Sequence, residues 1–153
     1  MATPVERLAE LGLTVPDVAK PVAAYIPALR TGNYVYTSGQ LPMRDGSLVA
    51  TGKLGIDVDV DLGVECARVC ALNAIAAVQS VVGDLSNVVR VVKLVVFVAS
   101  TPDFTAQPGI ANGASELVGY AFGEAGQHAR SAVGVVALPL DAPVEVEMVV
   151  EVR

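Results

Sequence analysis

The 153-residue sequence predicts an α+β domain, a single sheet with its long helices over one face. Three observations carry that expectation. Residues 59–82 hold the longest helical pattern, an Ala-rich run between capping aspartates and Gly83. Residues 87–100, NVVRVVKLVVFVAS, are dense in β-branched side chains and read as a central strand. Two further strand-like stretches, 130–138 and 144–152, follow near the end of the sequence.

The elements follow in order. Thr3 with Glu6 three residues later makes a capping box, Leu8 and Leu11 share a side, and Gly12 ends this short helix. LTVPDVAKP, with Pro16 and Pro21, is an extended connector, which divides the chain into 1–21 and 22–153. Two strands flank the Thr31-Gly32-Asn33 turn, and Pro27 puts the first at an edge or a bulge. RDGSLVATGKLG is a turn-rich excursion. The long helix starts after Asp59 or Asp61 and stops at Gly83. TPDFTAQPG reads as a loop, and GIANGASELVGYAFGEAG as a second helix weakened by internal glycines. PLDAP joins the last two strands.

Composition excludes several classes of function. The chain is 53% hydrophobic, lacks Trp, and can bury roughly 70% of the surface that its unfolded form exposes. Its net charge of −6, with ten basic residues scattered among sixteen acidic ones, argues against nucleic acid and anionic membrane surfaces as partners. The first residues lack the apolar core of a signal peptide, and no run approaches the ~20 apolar residues of a membrane span. Cys66 and Cys70 lie four apart on one helix face and read as buried, reduced thiols. Two cysteines and one distant histidine make a poor metal set, so the expectation is a cytoplasmic, metal-free protein.

The chemistry centres on Arg130. On a strand, Arg130, Ala132, Gly134 and Val136 share a face, and the small residues predict a hollow beside the guanidinium. A planar fork beside such a hollow suits two-pronged capture of a carboxylate. On pattern alone, an arginine snorkelling from a strand end is the simpler account. His128 reads as a surface histidine. Glu145, Glu147 and Glu151 share the face opposite Val144, Val146, Met148, Val150 and Val152. Glu147 and Glu151 fit a solvated face, while Glu145, nearest the turn, stays open. Ser38-Gly39 stands at a strand end, where a bare backbone admits either a ligand or an ordinary bulge. No phosphate loop or nucleophile elbow is present.

Tyr25, TSGQLP at 37–42, FVASTPDF at 97–104 and ARSAVGVVALPLDAPVEVE at 129–147 occur in an order and spacing that resemble the Rid family. These are the reactive-intermediate deaminases also called YjgF-type or L-PSP-type proteins, and the resemblance spans residues 22–153. It implies a chorismate-mutase-like fold, a mixed sheet with two long helices on one face, and a homotrimer with ligand clefts between subunits. It also implies cofactor-free hydrolysis of enamine/imine intermediates such as 2-aminoacrylate to 2-keto acids and ammonia. By the same resemblance, Arg130 binds the substrate carboxylate and Glu145 positions or activates water. Tyr25, Ser38, Gly39, Asn112 and Ala132 contact the substrate.

The chain departs from the family pattern at Ala132, where Cys or a small polar residue is usual, in its N-terminal helix, and in QPGIANG, which lengthens the loop before the second helix. These features resemble a divergent subgroup. A non-catalytic, regulatory binder of small carboxylates or keto acids is therefore the alternative, and the acidic charge argues against an endoribonuclease. If strands 130–138 and 144–152 form a simple hairpin, Arg130 and Glu145 stand about 20 Å apart along the sheet. One pocket then holds both only across a subunit interface.

Overall fold

A computed structural model describes residues 1–18 and 24–153. Residues 19–23 lie outside the described residues, and with them Pro21, the end of the expected connector and the 21/22 division. Helix α1 (Pro4–Glu10) has the expected capping box: Glu6 N donates to Thr3 Oγ1 at 3.2 Å and Thr3 N to Glu6 Oε2 at 2.7 Å. Its Leu8 is fully buried in the core, and Tyr120 Oη donates to Glu10 Oε2 at 2.8 Å. The helix is thus packed into the body of the domain.

β1 (Ala28–Thr31) and β2 (Tyr34–Thr37) form the expected hairpin. β3 (Met43–Arg44) and β4 (Ser47–Leu48) form a second small hairpin around Asp45-Gly46, inside the turn-rich excursion. Asp59 caps α2 (Val60–Val82), its Oδ1 accepting from Leu62 N at 2.8 Å, and Gly83 ends it. β5 (Val88–Ala99) follows. α3 (Gln107–Phe122) opens two residues inside the stretch expected to be loop, because Pro108 suits a first helical turn, where its missing N–H leaves nothing unpaired. β6 (Ala129–Val135) and β7 (Val144–Val152) complete the chain, β6 stopping three residues before the expected 138.

The five-stranded sheet runs β1-β2-β7-β5-β6. It is mixed, with β6 parallel to β5 and every other pairing antiparallel. Both long helices cover one face, α2 over β1, β2 and β7, and α3 over β5 and β6. The buried partners are the alternate residues Leu94, Val96 and Val98 of β5 and Val144, Val146, Met148, Val150 and Val152 of β7. The helices also meet each other closely. A Cβ at Gly113 would lie 3.0 Å from Val64 C, so one of the glycines that weaken α3 lets it rest on the backbone of α2.

The last two strands do not pair as a simple hairpin. β7 inserts between β2 and β5, whereas β6 pairs with the opposite edge of β5. The reason lies in the connections. The β5–α3–β6 crossover returns the chain parallel to β5, and residues 136–143 then pass over the end of β5, where Ala99 N donates to Pro143 O at 2.9 Å.

Candidate functional site

The residues singled out from the sequence fall into two groups on opposite faces of the sheet. The first gathers where β2 ends. Pairing runs Tyr36 to Val149 and then Gln40 to Val146, so the β2 side carries one extra residue, a bulge. Thr37 compensates within it, its Oγ1 accepting from Met148 N at 3.0 Å. Gln40 and Val146 then exchange backbone hydrogen bonds of 2.7 and 3.0 Å. This fixes Gly39 against Glu145: the space that a Cβ on Gly39 would fill is occupied by the Glu145 carboxyl, with Cδ at 2.6 Å and Cγ at 3.0 Å. Only glycine leaves room for that side chain.

Ser38 ties the segment after Tyr25 to the same place. Its Oγ donates to Ile26 O at 2.6 Å and its N to Pro27 O at 2.7 Å. Tyr25 itself is 44% exposed. Burial, and secondarily the charge of Glu147, raises the Glu145 carboxyl above the usual glutamate range. Behind it, Cys70 Sγ donates to Val144 O at 3.4 Å. Burial pushes the Cys66 thiol up to about 11 and the Cys70 thiol well above its ordinary value, so neither is a ready nucleophile.

The second group gathers around Arg130. Arg130, Ala132 and Gly134 do share a face, the one turned toward α3, in register with Leu94, Val96 and Val98. The guanidinium reaches three oxygens of α3: Nη1 donates to Asn112 Oδ1 at 2.8 Å and to Ser115 Oγ at 3.2 Å, and Nη2 to Pro108 O at 3.4 Å. All three acceptors are neutral. Among the described residues Arg130 has no carboxylate partner. Of the five N–H groups of an arginine, the Nε–H and one Nη2–H stay available, which is what a carboxylate needs for two parallel hydrogen bonds.

The hollow expected beside the guanidinium is only partly there. Ala132 packs against the core, and the space above Gly134 is taken by Gln107 Nε2 and Ser100 Oγ, 2.7 and 2.9 Å from where a Cβ would stand. These two polar side chains, the amide donating to Phe104 O at 2.7 Å, wall the site instead. His128 is likewise no free surface side chain. It is half-buried, with Nε2 2.9 Å from Ser115 Oγ and Nδ1 2.6 Å from Gly126 O. Ser115 carried no signal on its own; its spacing of three from Asn112, one helical turn, was the available clue.

Arg130 and Glu145 do not meet within one chain. Arg130 stands opposite Leu94 of β5, and Glu145 opposite Phe97. An odd offset of three reverses the face, so Glu145 points away from the helices while Arg130 points toward them. The two positions are also about 10 Å apart along β5, with two strand spacings of roughly 4.8 Å each between their strands. A groove of about 890 Å³ on the outer side of α2, lined by Leu13, Arg44, Glu65, Arg68 and Asn73 among others, contains none of these residues.

This fold and these motifs define a known class. Residues 5–152 match the family model described as "YjgF/chorismate_mutase-like, putative endoribonuclease", and the chain belongs to that YjgF/chorismate-mutase-like family. It is 47% identical over 148 residues to protein TCP17 of Trypanosoma cruzi, covering 96% of this chain and 92% of that one. It is 31% identical over 143 residues to the 2-iminobutanoate/2-iminopropanoate deaminase of Dermatophagoides farinae, covering 92% and 95%. The crystal structure of Agrobacterium tumefaciens Atu1372, a protein of unknown function, superposes with a TM-score of 0.93 at 46% identity, covering 98% of this chain and 92% of that one. Escherichia coli TdcF with bound serine gives a TM-score of 0.60 at 26% identity, covering 91% and 93%. No helix among the described residues is long and apolar enough to cross a membrane.

Proposed function

We propose that the protein hydrolyses reactive 2-imino acids and their enamine tautomers, such as 2-aminoacrylate, to 2-keto acids and ammonia, without a cofactor. The observation that carries this reading is the Arg130 fork, fixed by neutral oxygens and left with two donors for a substrate carboxylate. The Dermatophagoides farinae relative, named as an imino-acid deaminase, supports the reaction class. In the reaction, water adds to the imine carbon and one of its protons passes to the Glu145 carboxylate. The nitrogen is then protonated, the C–N bond breaks, and ammonia leaves a C=O behind. The raised proton affinity of Glu145 brings it nearer the range where a general base works best at neutral pH. Positioning supplies much of the acceleration, since an imine hydrolyses readily once held. Tyr25, Ser38, Gly39 and Ala132 wall and orient the substrate, and Asn112 orients Arg130.

A site that uses both Arg130 and Glu145 requires a second copy of the chain, and the homotrimer with clefts between subunits meets that need. The uncovered sheet face supports it. Leu29, Tyr34 and Tyr36 on β1 and β2, and Val133 on β6, are 47, 43, 45 and 44% exposed there, apolar side chains on either side of the β7 glutamates that a subunit contact would cover. The test is to generate 2-iminobutanoate or 2-aminoacrylate in situ and follow keto-acid release. Wild type accelerates release, and Arg130→Ala lowers kcat/KM at least about 100-fold, as expected for losing one partner of a hydrogen-bonded charge pair. An unaccelerated reaction, or an unchanged rate in the variant, defeats the proposal.

The second reading, a non-catalytic binder of small carboxylates, is favoured by the placement of Arg130 and Glu145 on opposite faces. It predicts Arg130-dependent binding of 2-oxo acids with no turnover.

A further inference from the structure

We infer that Ser115 and His128 are positioning residues of the anion clamp, a relay that orients the Arg130 fork toward a carboxylate. The inference rests on the reading of Arg130 as the carboxylate-binding group, and extends it to two residues outside the family motifs. The polarity of the relay follows from its far end. His128 Nδ1 lies 2.6 Å from Gly126 O, and a carbonyl can only accept, so Nδ1 carries a proton. In the neutral ring Nε2 is then an acceptor, and the group 2.9 Å away, the Ser115 hydroxyl, donates to it. With its proton committed to His128, Ser115 Oγ turns a lone pair to Arg130 Nη1 at 3.2 Å. The chain of donors runs one way, Arg130 to Ser115 to His128 to Gly126, and bonds in such a chain polarise one another.

Both ends of the relay are rigid. The Gly126 backbone is pressed against α3: a Cβ there would lie 2.6 Å from Val118 O and 3.0 Å from Gly119 Cα. Asn112 and Ser115, one turn apart on α3, take both Nη1 protons. Nη1 cannot rotate to serve a ligand, and the free Nε–H and Nη2–H are presented in one fixed plane. A carboxylate then binds without first ordering a long flexible side chain. The relay therefore acts on ground-state binding: its loss raises KM and leaves kcat nearly unchanged.

The experiment measures 2-oxobutanoate binding by calorimetry, KM and kcat for the imine generated in situ, and the melting temperature, in wild type and five variants. Ser115→Ala and His128→Phe weaken 2-oxobutanoate binding and raise KM several-fold to about tenfold, with kcat within twofold. The double variant is no worse than either single one, because the two residues act as one unit. Ser115→Thr, which keeps the hydroxyl, and His128→Gln, whose amide oxygen accepts from Ser115, recover most of the affinity and remain informative where the harsher variants fold poorly. Binding within twofold of wild type in Ser115→Ala and His128→Phe overturns the relay, as does additive loss in the double variant or a wild type that binds no 2-oxobutanoate. Weakened binding in the variants of a wild type that shows no turnover overturns the deaminase reading and leaves the relay standing.

Discussion

The Gly39–Glu145 group and the Arg130 group are held by different means. Glu145 is wedged: a bulged backbone and a missing Cβ leave one place for its carboxyl, and burial makes its charge costly there. Arg130 is tethered: a flexible side chain is held by three hydrogen bonds to one helix, with its charge uncompensated among the described residues. The wedge depends on shape and fails by overfilling. The tether depends on polar partners and fails by their loss, with little effect on packing. The contrast matches the two tasks proposed, since a base must stand at one point while a clamp must be pre-aimed and keep its attraction.

The largest test asks whether the two groups cooperate only between copies. Val133→Asp puts a charge on the uncovered face of the edge strand β6, 44% exposed in the protomer. The expected outcome is a shift from oligomer to monomer by light scattering, with turnover down more than about 100-fold because a monomer cannot bring the two groups into one site. An unchanged mass breaks the view that this face is a subunit contact.

Next, Gly39→Ala separates wedge from tether. The added methyl collides with the Glu145 carboxyl and should cost about 1–3 kcal/mol of stability, with turnover falling roughly tenfold or more as Glu145 moves. Binding of 2-oxobutanoate, whose carboxylate is held by Arg130 on the opposite face, should weaken less than turnover falls. A parallel loss of binding and turnover would merge the two groups into one.

The smallest effect concerns the cost of the wedged charge. Because the fold raises the Glu145 pKa, its protonated form is the stabilising one. That stability is present below the ordinary glutamate pKa and is lost as pH rises through the raised value. Glu145→Gln removes the penalty and should raise Tm at pH 7 by roughly 1–3 °C, the gain vanishing in acid. A Tm difference independent of pH would show that the charge is not strained.

Where a feature depended on neighbours in sequence, the reading was sound. Asp59 and Gly83 bound the long helix, and the alternation from Val144 to Val152 assigned each side chain of β7 to its face. What escaped was set by partners distant in sequence. The last two strands looked like a hairpin because a short link joins them, and nothing local reveals that both prefer β5. His128 looked solitary because Ser115 reaches it only once α3 has folded back along β6. The space at Gly134 looked empty because Gln107, which fills it, belongs to a stretch expected to be loop.

The placement of β7 has a consequence for synthesis. The last strand to be made is the middle strand of the sheet, flanked by β2 and β5. A chain emerging from the ribosome therefore holds two sheet fragments, β1–β2 and β5–α3–β6, that share no ladder until Val144–Val152 arrives. At about 5–20 residues per second, β2 waits on the order of ten seconds for its neighbour with one edge open. Stalling or truncation before residue 144 should leave two unpaired edges flanking the missing strand, the kind of species that aggregates or recruits a chaperone.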